Sequence, residues 1–175
     1  MINYIERMCD EFPEKLDGNT MYPWTEKMFA IDEKSSEMSK EDANYFHTHT
    51  MKIMYLAKGA RHDVLPAVIF ISTRVKHPTT QDWAKVKNVM NFIFRTKNDV
   101  MTLQFKDYGV ITWYVDAAFA VYSVMKSHTG ATMTLGKGSV SSYSLKQKVN
   151  ARSSTEAELI GVDDIMSKIL GQRNF

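Results

Sequence analysis

A mixed α/β fold is predicted for this chain, helices first and then a small antiparallel sheet followed by a helix, and three observations predict it. Apolar residues recur at helical spacing between about Lys40 and Arg95. Beyond Met101 the pattern becomes a two-residue alternation, with Ile111, Trp113 and Val115 set against Thr112, Tyr114 and Asp116. A helical stripe returns after Ser153.

The opening residues are the least regular. Residues 9–40 combine Pro13, Gly18 and Pro23 with many charges and little periodicity, so 1–40 reads as an irregular acidic opening segment. Phe46, Thr50, Met54 and Ala57 then mark a helix that Gly59 ends. Asp63 offers an N-cap for a second helix through Val75, with Pro66 near its start, where a missing amide proton does little harm. A third helix runs from about Thr80 to Arg95, its stripe made by Trp83, Val86, Met90, Ile93 and Phe94. These helices form a unit over 41–100.

The second unit, 101–175, begins with the alternating strand that ends at Asp116. Thr129–Leu135 and Ser139–Tyr143 give two further short strands around Gly136-Lys137-Gly138. That glycine pair lacks the spacing of a phosphate-binding loop and is read as a turn. A final helix over 154–170 follows.

A 44% hydrophobic content in 175 residues is enough for a core. No run reaches the roughly 18–20 apolar residues that cross a bilayer, and Met1–Asp10 lacks the basic start and apolar middle of a signal peptide. Cys9 is the single cysteine, which excludes an internal disulfide framework and a thiolate cluster. The expectation is an intracellular protein with no membrane partner. Residues 1–40 carry nine acids against five bases, 41–110 six against ten, and 111–175 five against seven. A basic body behind an acidic opening can face a phosphate backbone, although solvated helix surface explains the same counts.

Two carboxylates stand out, Asp116 at the end of the first strand and Glu158 at the start of the last helix. Both Ser153-x-x-Glu156 and Thr155-x-x-Glu158 fit a capping box, so the cap does not choose between the glutamates. At roughly 100° per residue with Glu158 at zero, Val162 falls near about 40°, Ile165 near about −20°, Ile169 near about 20° and Glu156 near about 160°. Glu158 is thus expected to head the stripe that packs on the sheet, with Glu156 toward water. A carboxylate on a packed edge needs a donor, a cation or a proton, and two on crossing elements can share Mg²⁺ between them. The spacing equally allows Asp116 simply to end a strand and Glu158 to cap a helix.

Two other patterns are discounted. Val162-Asp163-Asp164 resembles a polymerase aspartate pair but lies inside a helix rather than at a hairpin tip. His47 and His49, two apart on a helix, point in different directions, and no cysteine accompanies them.

Four motifs in order, Tyr114-Val115-Asp116-Ala117, Lys126-Ser127-x-Thr129-Gly130, Ser144-x-Lys146-Gln147-Lys148 and Ser153-Ser154-Thr155-Glu156-Ala157-Glu158-Leu159, resemble the Pol polyprotein of copia-type long-terminal-repeat retrotransposons. They match its ribonuclease H domain. Upstream, Tyr55-Leu56-Ala57-Lys58-x-Ala60-Arg61-x-Asp63 and Thr73-Arg74-Val75 resemble the connection after the reverse transcriptase. The resemblance implies a helical connection segment followed by a truncated ribonuclease H-like unit of three antiparallel strands and one helix. It also implies Mg²⁺- or Mn²⁺-dependent hydrolysis of RNA in an RNA/DNA hybrid, with Asp116 and Glu158 as catalytic metal ligands. Lys126, Lys137, Lys146, Lys148 and Arg152 become candidate phosphate contacts near the hybrid. The family's third aspartate belongs on a strand after this helix and its polymerase aspartates belong before residue 1, so residues 1–175 are expected to be inactive alone. The competing expectation is a domesticated structural or interaction subunit whose incomplete sheet is completed by a protein partner or by a second copy in a homo-oligomer.

Overall fold

A computed structural model describes residues 1–25, 27–106 and 110–172, and the chain divides into two compact units, Met1–Asp99 and Val100–Phe175. The architecture is mixed α/β: an N-terminal helical region, then a small antiparallel sheet and a helix that resemble part of a ribonuclease H-like unit.

The first unit contains α1 (Ile2–Asp10), α2 (Lys40–Gly59), α3 (Leu65–Ser72) and α4 (Thr80–Arg95). Ser39 opens α2 by accepting the Asp42 amide proton on its hydroxyl. The expected cap of α3 is not used. Arg61 donates from Nε and a terminal nitrogen to the Asp63 carboxylate at 3.0 and 2.8 Å, so Asp63 is engaged there. A 3₁₀ turn over His62–Val64 leads into α3, Pro66 takes its first turn, and α3 ends at Ser72 rather than Val75. Arg61 also donates to the Thr96 carbonyl, where a cation favours the C-terminal end of α4. At the other end of α4, Asp82 accepts from the Thr79 amide and hydroxyl and from Arg74 Nε.

The opening segment is more ordered than its composition suggests. Residues 2–10 form a helix that buries Ile5 and Met8, and polar side chains of α4 fasten the rest. Asn91 Oδ1 accepts from the amides of Asp17 and Gly18, Gln81 Oε1 from that of Asp32, and Glu14 accepts the Trp83 indole proton. Those partners lie about 50–75 residues away in sequence, which a local periodicity cannot register. Phe46, Ile53, Leu56, Val68, Ile71, Val86, Met90 and Ile93 are completely buried in the core beneath them.

In the second unit β2 (Thr112–Ala118), β3 (His128–Thr134) and β5 (Ser141–Lys146) form an antiparallel sheet in the order β2-β3-β5. Gly136-Lys137 is not only a turn. It forms β4 and pairs with β1 (Gln104–Phe105) as a separate two-stranded ladder. Gly136 has φ 151°, and a Cβ there would come within 2.5 Å of the Gln104 carbonyl oxygen. Only glycine fits that approach.

Helix α5 (Ser154–Gln172) lies on the sheet face carrying Ala117 and Thr129. Its buried stripe is Ala157, Gly161 and Ile165, while Leu159, Val162, Met166 and Leu170 are exposed. The expected stripe headed by Glu158 is therefore rotated by roughly 70°, and Ile165 belongs to both. The reason is closeness rather than bulk: Ala157 and Gly161 let the helix backbone approach the strands, whereas the larger aliphatic residues stand off. A Cβ at Gly161 would meet Ala117 Cβ and Thr129 at 3.5 Å, an ordinary contact. Gly161→Ala is accordingly expected to raise stability by about 0.5–1 kcal/mol through helix propensity. Gly161→Leu should lower it by about 1–3 kcal/mol through overpacking. Urea unfolding of both variants checks this pair of opposite signs, and a strongly destabilised alanine variant would contradict the packing. No described helix is long and apolar enough to cross a membrane.

Candidate nucleic-acid and metal site

Antiparallel register decides which candidate residues share a neighbourhood. Ala118 pairs with His128 and His128 with Lys146, so the end of β2, the start of β3 and the end of β5 meet at one rim of the sheet. The first turn of α5 joins them because Gln147 Nε2 donates to the Ala157 carbonyl at 2.9 Å. That rim carries Asp116, Lys126, Lys146, Lys148, Arg152 and Glu158. Lys137 lies on β4, beyond the opposite end of β3, and is not among them.

The two acids flank one contact. Asp116 precedes Ala117, which faces Gly161, and Glu158 lies three residues, nearly one turn, before Gly161. Both carboxylates are exposed. Strand alternation turns Asp116 to the face of Thr112, Tyr114 and Ala118, away from the face on which α5 lies. The seam between strand and helix is lined by Ala117, Thr129, Ala157 and Gly161. An ion shared by the two acids would sit in water at the rim. Among the described residues there is no group of three or more His, Cys, Asp or Glu placed to hold a metal ion. Tyr114 is 62% exposed, on the sheet face that α5 does not cover.

Glu156 has a separate task. Its carboxylate accepts the Arg152 amide proton at 2.6 Å, and Ser153 accepts the Glu156 amide proton at 3.2 Å. The cap of α5 uses the first of the two candidate boxes, and Glu158 is not needed for it.

The basic residues differ in their surroundings. Lys126 donates to the Lys148 carbonyl, which fixes two cations at one corner. Lys146 Nζ lies 4.4 Å from the centroid of the Tyr122 ring, a cation–π contact that leaves the side chain exposed. Lys148 and Arg152 are exposed. Four cations on one rim are an electrostatic footprint for phosphate, and the nearby acids repel phosphate unless a cation intervenes.

Several residues that bear on the site escaped sequence reasoning. Gln147 is 1% exposed and donates also to Thr129 Oγ1 at 3.0 Å, and Thr129 donates to the Asp164 carboxylate at 3.2 Å. This chain of hydrogen bonds locks the hairpin onto α5 and sets the register of the rim. Ser127, fully buried, accepts the amide proton of Ala120, which has φ 52°. Thr129, Ser127 and Gln147 all belong to the quoted motifs. Ser127 is flanked by Lys126 and His128, Thr129 by His128 and Gly130, and Gln147 by two lysines, so no local pattern marks them as a buried network.

His128 lies beneath the same rim. Its Nδ1 is 2.8 Å from the Tyr122 hydroxyl and its Nε2 2.6 Å from the Ser144 hydroxyl, and burial pushes its pKa down to about 4. Burial likewise pushes the Tyr122 hydroxyl up to about 12. The ring stays neutral at physiological pH and serves the scaffold, one nitrogen donating and the other accepting. In the helical unit, burial raises the Cys9 thiol to about 11, which makes it a poor nucleophile.

Over 177 aligned residues the chain is 25% identical to the retrovirus-related Pol polyprotein from transposon TNT 1-94 of Nicotiana tabacum. The alignment takes in 98% of this chain and 13% of that polyprotein, so the chain spans about one eighth of its relative. No family model and no solved structure matches the chain. The relationship to a retrotransposon Pol polyprotein is distant and partial.

Proposed function

We propose that the chain is the part of a copia-type Pol polyprotein where the connection helices meet the first strands and helix of a ribonuclease H domain, and that its rim engages the backbone of an RNA/DNA hybrid. The observation supporting this most strongly is that strand register sets Asp116 and Lys146 near one end of the sheet, where Lys126 donates to the Lys148 carbonyl and Gln147 ties on the first turn of α5, which carries Glu158 and follows Arg152. Asp116 and Glu158 would hold Mg²⁺ or Mn²⁺: two exposed carboxylates with open water positions suit a small hard cation that keeps much of its hydration shell. When bound, such an ion activates water and stabilises the leaving oxygen of a phosphodiester, as in hydrolysis to a 3′-hydroxyl and a 5′-phosphate. The lysines and Arg152 contribute phosphate neutralisation and orient the duplex along the rim.

Because no three acids or histidines are placed to hold a metal ion together among the described residues, hybrid binding is the activity expected of residues 1–175, and turnover is expected only when a further acid completes the site. A labelled RNA/DNA hybrid tests both parts. Binding should weaken steeply with salt, and a Lys146→Gln/Lys148→Gln double variant should reduce the slope of log affinity against log salt by about 1–2. The Lys137→Gln variant, at the other end of the sheet, should leave that slope unchanged. Equal effects of both changes would reject the rim as the interface. Metal-dependent cleavage that Asp116→Asn abolishes would show that the gathered acids suffice.

A second reading has its own observation. Among the described residues β2 and β5 are both edges of an open sheet, and one face of α5 exposes Leu159, Val162, Met166 and Leu170. Edges and apolar faces of this kind favour completion by a protein partner or a second copy. Light scattering across protein concentrations separates the readings, because a folded monomer throughout removes the self-association version.

A further inference from the structure

A cleft of about 520 Å³ lies within the helical unit, where Met38, Tyr45 and Trp83 wall a space that also borders Glu14, Glu37 and Asp42. Ligand-binding clefts typically run from about 300 to 1,000 Å³. Its chemistry is one-sided. The charged side chains lining it are all carboxylates, and Tyr45 keeps 49% of its surface in water although its ring is large and apolar. Two of the acids are fixed from outside. Glu14 receives protons from Lys87 and the Trp83 indole, which hold its carboxyl below the usual range, and Asp42 accepts the Ser39 hydroxyl proton at 2.7 Å. Glu37 is exposed and is held through its backbone, which bridges to Thr79.

We infer that this cleft binds an arginine side chain of a partner peptide. A guanidinium matches the lining on both counts: its edge pairs with carboxylates through two parallel N–H donors, and its flat face stacks on the half-exposed Tyr45 ring, since Trp83 is already stacked on Phe12. A lysine ammonium satisfies the charge but cannot stack as a plane, and an acidic peptide or a nucleic-acid phosphate is repelled by Glu37 and Asp42, Glu14 being paired with Lys87. The surrounding chain reinforces the preference, because residues 1–40 carry nine acids against five bases. The site is independent of the sheet rim and of the nucleic-acid reading.

The test is an NMR titration of the full chain with three blocked tripeptides, Gly-Arg-Gly, Gly-Lys-Gly and Gly-Glu-Gly, and with a single-stranded RNA oligomer. The Gly-Arg-Gly peptide should shift the Trp83 indole N–H resonance saturably, with a dissociation constant on the order of 1 mM. Glu37→Gln and Tyr45→Ala should each weaken that binding about fivefold, as expected for loss of one exposed ion pair or one cation–π contact. Unchanged dispersion in the remaining amide spectrum shows that each variant is folded. The lysine peptide should bind at least about threefold more weakly, and the acidic peptide and RNA should not move the Trp83 resonance. Failure to saturate with Gly-Arg-Gly, equal binding of the lysine or acidic peptide, a shift caused by RNA, or full affinity in both variants would each overturn the assignment.

Discussion

Replacing Phe46 by alanine lowers the stability of the helical unit by about 3–5 kcal/mol, the cost of removing a large buried ring and leaving a cavity. Phe46 is completely buried on α2 in a core shared with α3 and α4, including Val68, Val86 and Met90. Its loss removes apolar burial at a place where three helices already pack closely and relax little. Such a change consumes much of the stability of an ordinary small domain. Urea unfolding followed at the Trp83 indole measures it, and a loss under about 1.5 kcal/mol would contradict a shared close-packed core.

The sheet unit loses stability on acidification, because a buried histidine within it resists the proton that the unfolded chain accepts. Burial holds His128 at about 4, well below the ordinary histidine value of 6.5. Between those values the unfolded chain binds the proton and the folded one does not, so stability rises with pH across the window and falls as pH drops from about 6.5 toward 4. At about 1.4 kcal/mol per pH unit the full effect is roughly 3 kcal/mol. Protonation also disrupts the pairing with the Tyr122 and Ser144 hydroxyls, one of which donates to the neutral ring. Amide exchange in β3 and β5, corrected for its intrinsic pH dependence, should accelerate between about pH 6 and pH 4.5. His128→Gln should flatten the sheet response. A sheet equally stable across that range would show that the ring is not held neutral.

Much of the architecture is legible in the sequence because it rests on local rules. Thr80–Arg95 is found as expected, since the Val86, Met90 and Ile93 stripe and the Thr79–Asp82 cap coincide. The strand at Thr112–Ala118 follows from its alternation. What the sequence obscures depends on contacts across long separations. The placement of Glu14, Asp17, Gly18 and Asp32 comes from Gln81, Trp83 and Asn91 on a distant helix. On α5 a wheel weighted by bulk favours Val162 beside Ile165, whereas the sheet takes Ile165 together with Ala157 and Gly161, which allow close approach. Of the candidate site, the residues themselves were visible in Asp116, Glu158 and the basic positions. Their grouping was not, because only strand register separates Lys137 from the other cations. Gln147 carries no charge and no apolar periodicity, so its role as the bolt between hairpin and helix emerges only from its hydrogen bonds.

Mn²⁺ added to isotope-labelled protein tests the candidate centre most directly, since a bound paramagnetic ion broadens resonances near it. If Asp116 and Glu158 share an ion at the rim, amides of residues 116–118 and 157–159 broaden together at the same Mn²⁺ concentration, excess Mg²⁺ restores them, and Asp116→Asn removes both effects. Broadening confined to one of the two segments, or persisting at both in the Asp116→Asn protein, would contradict a shared metal site.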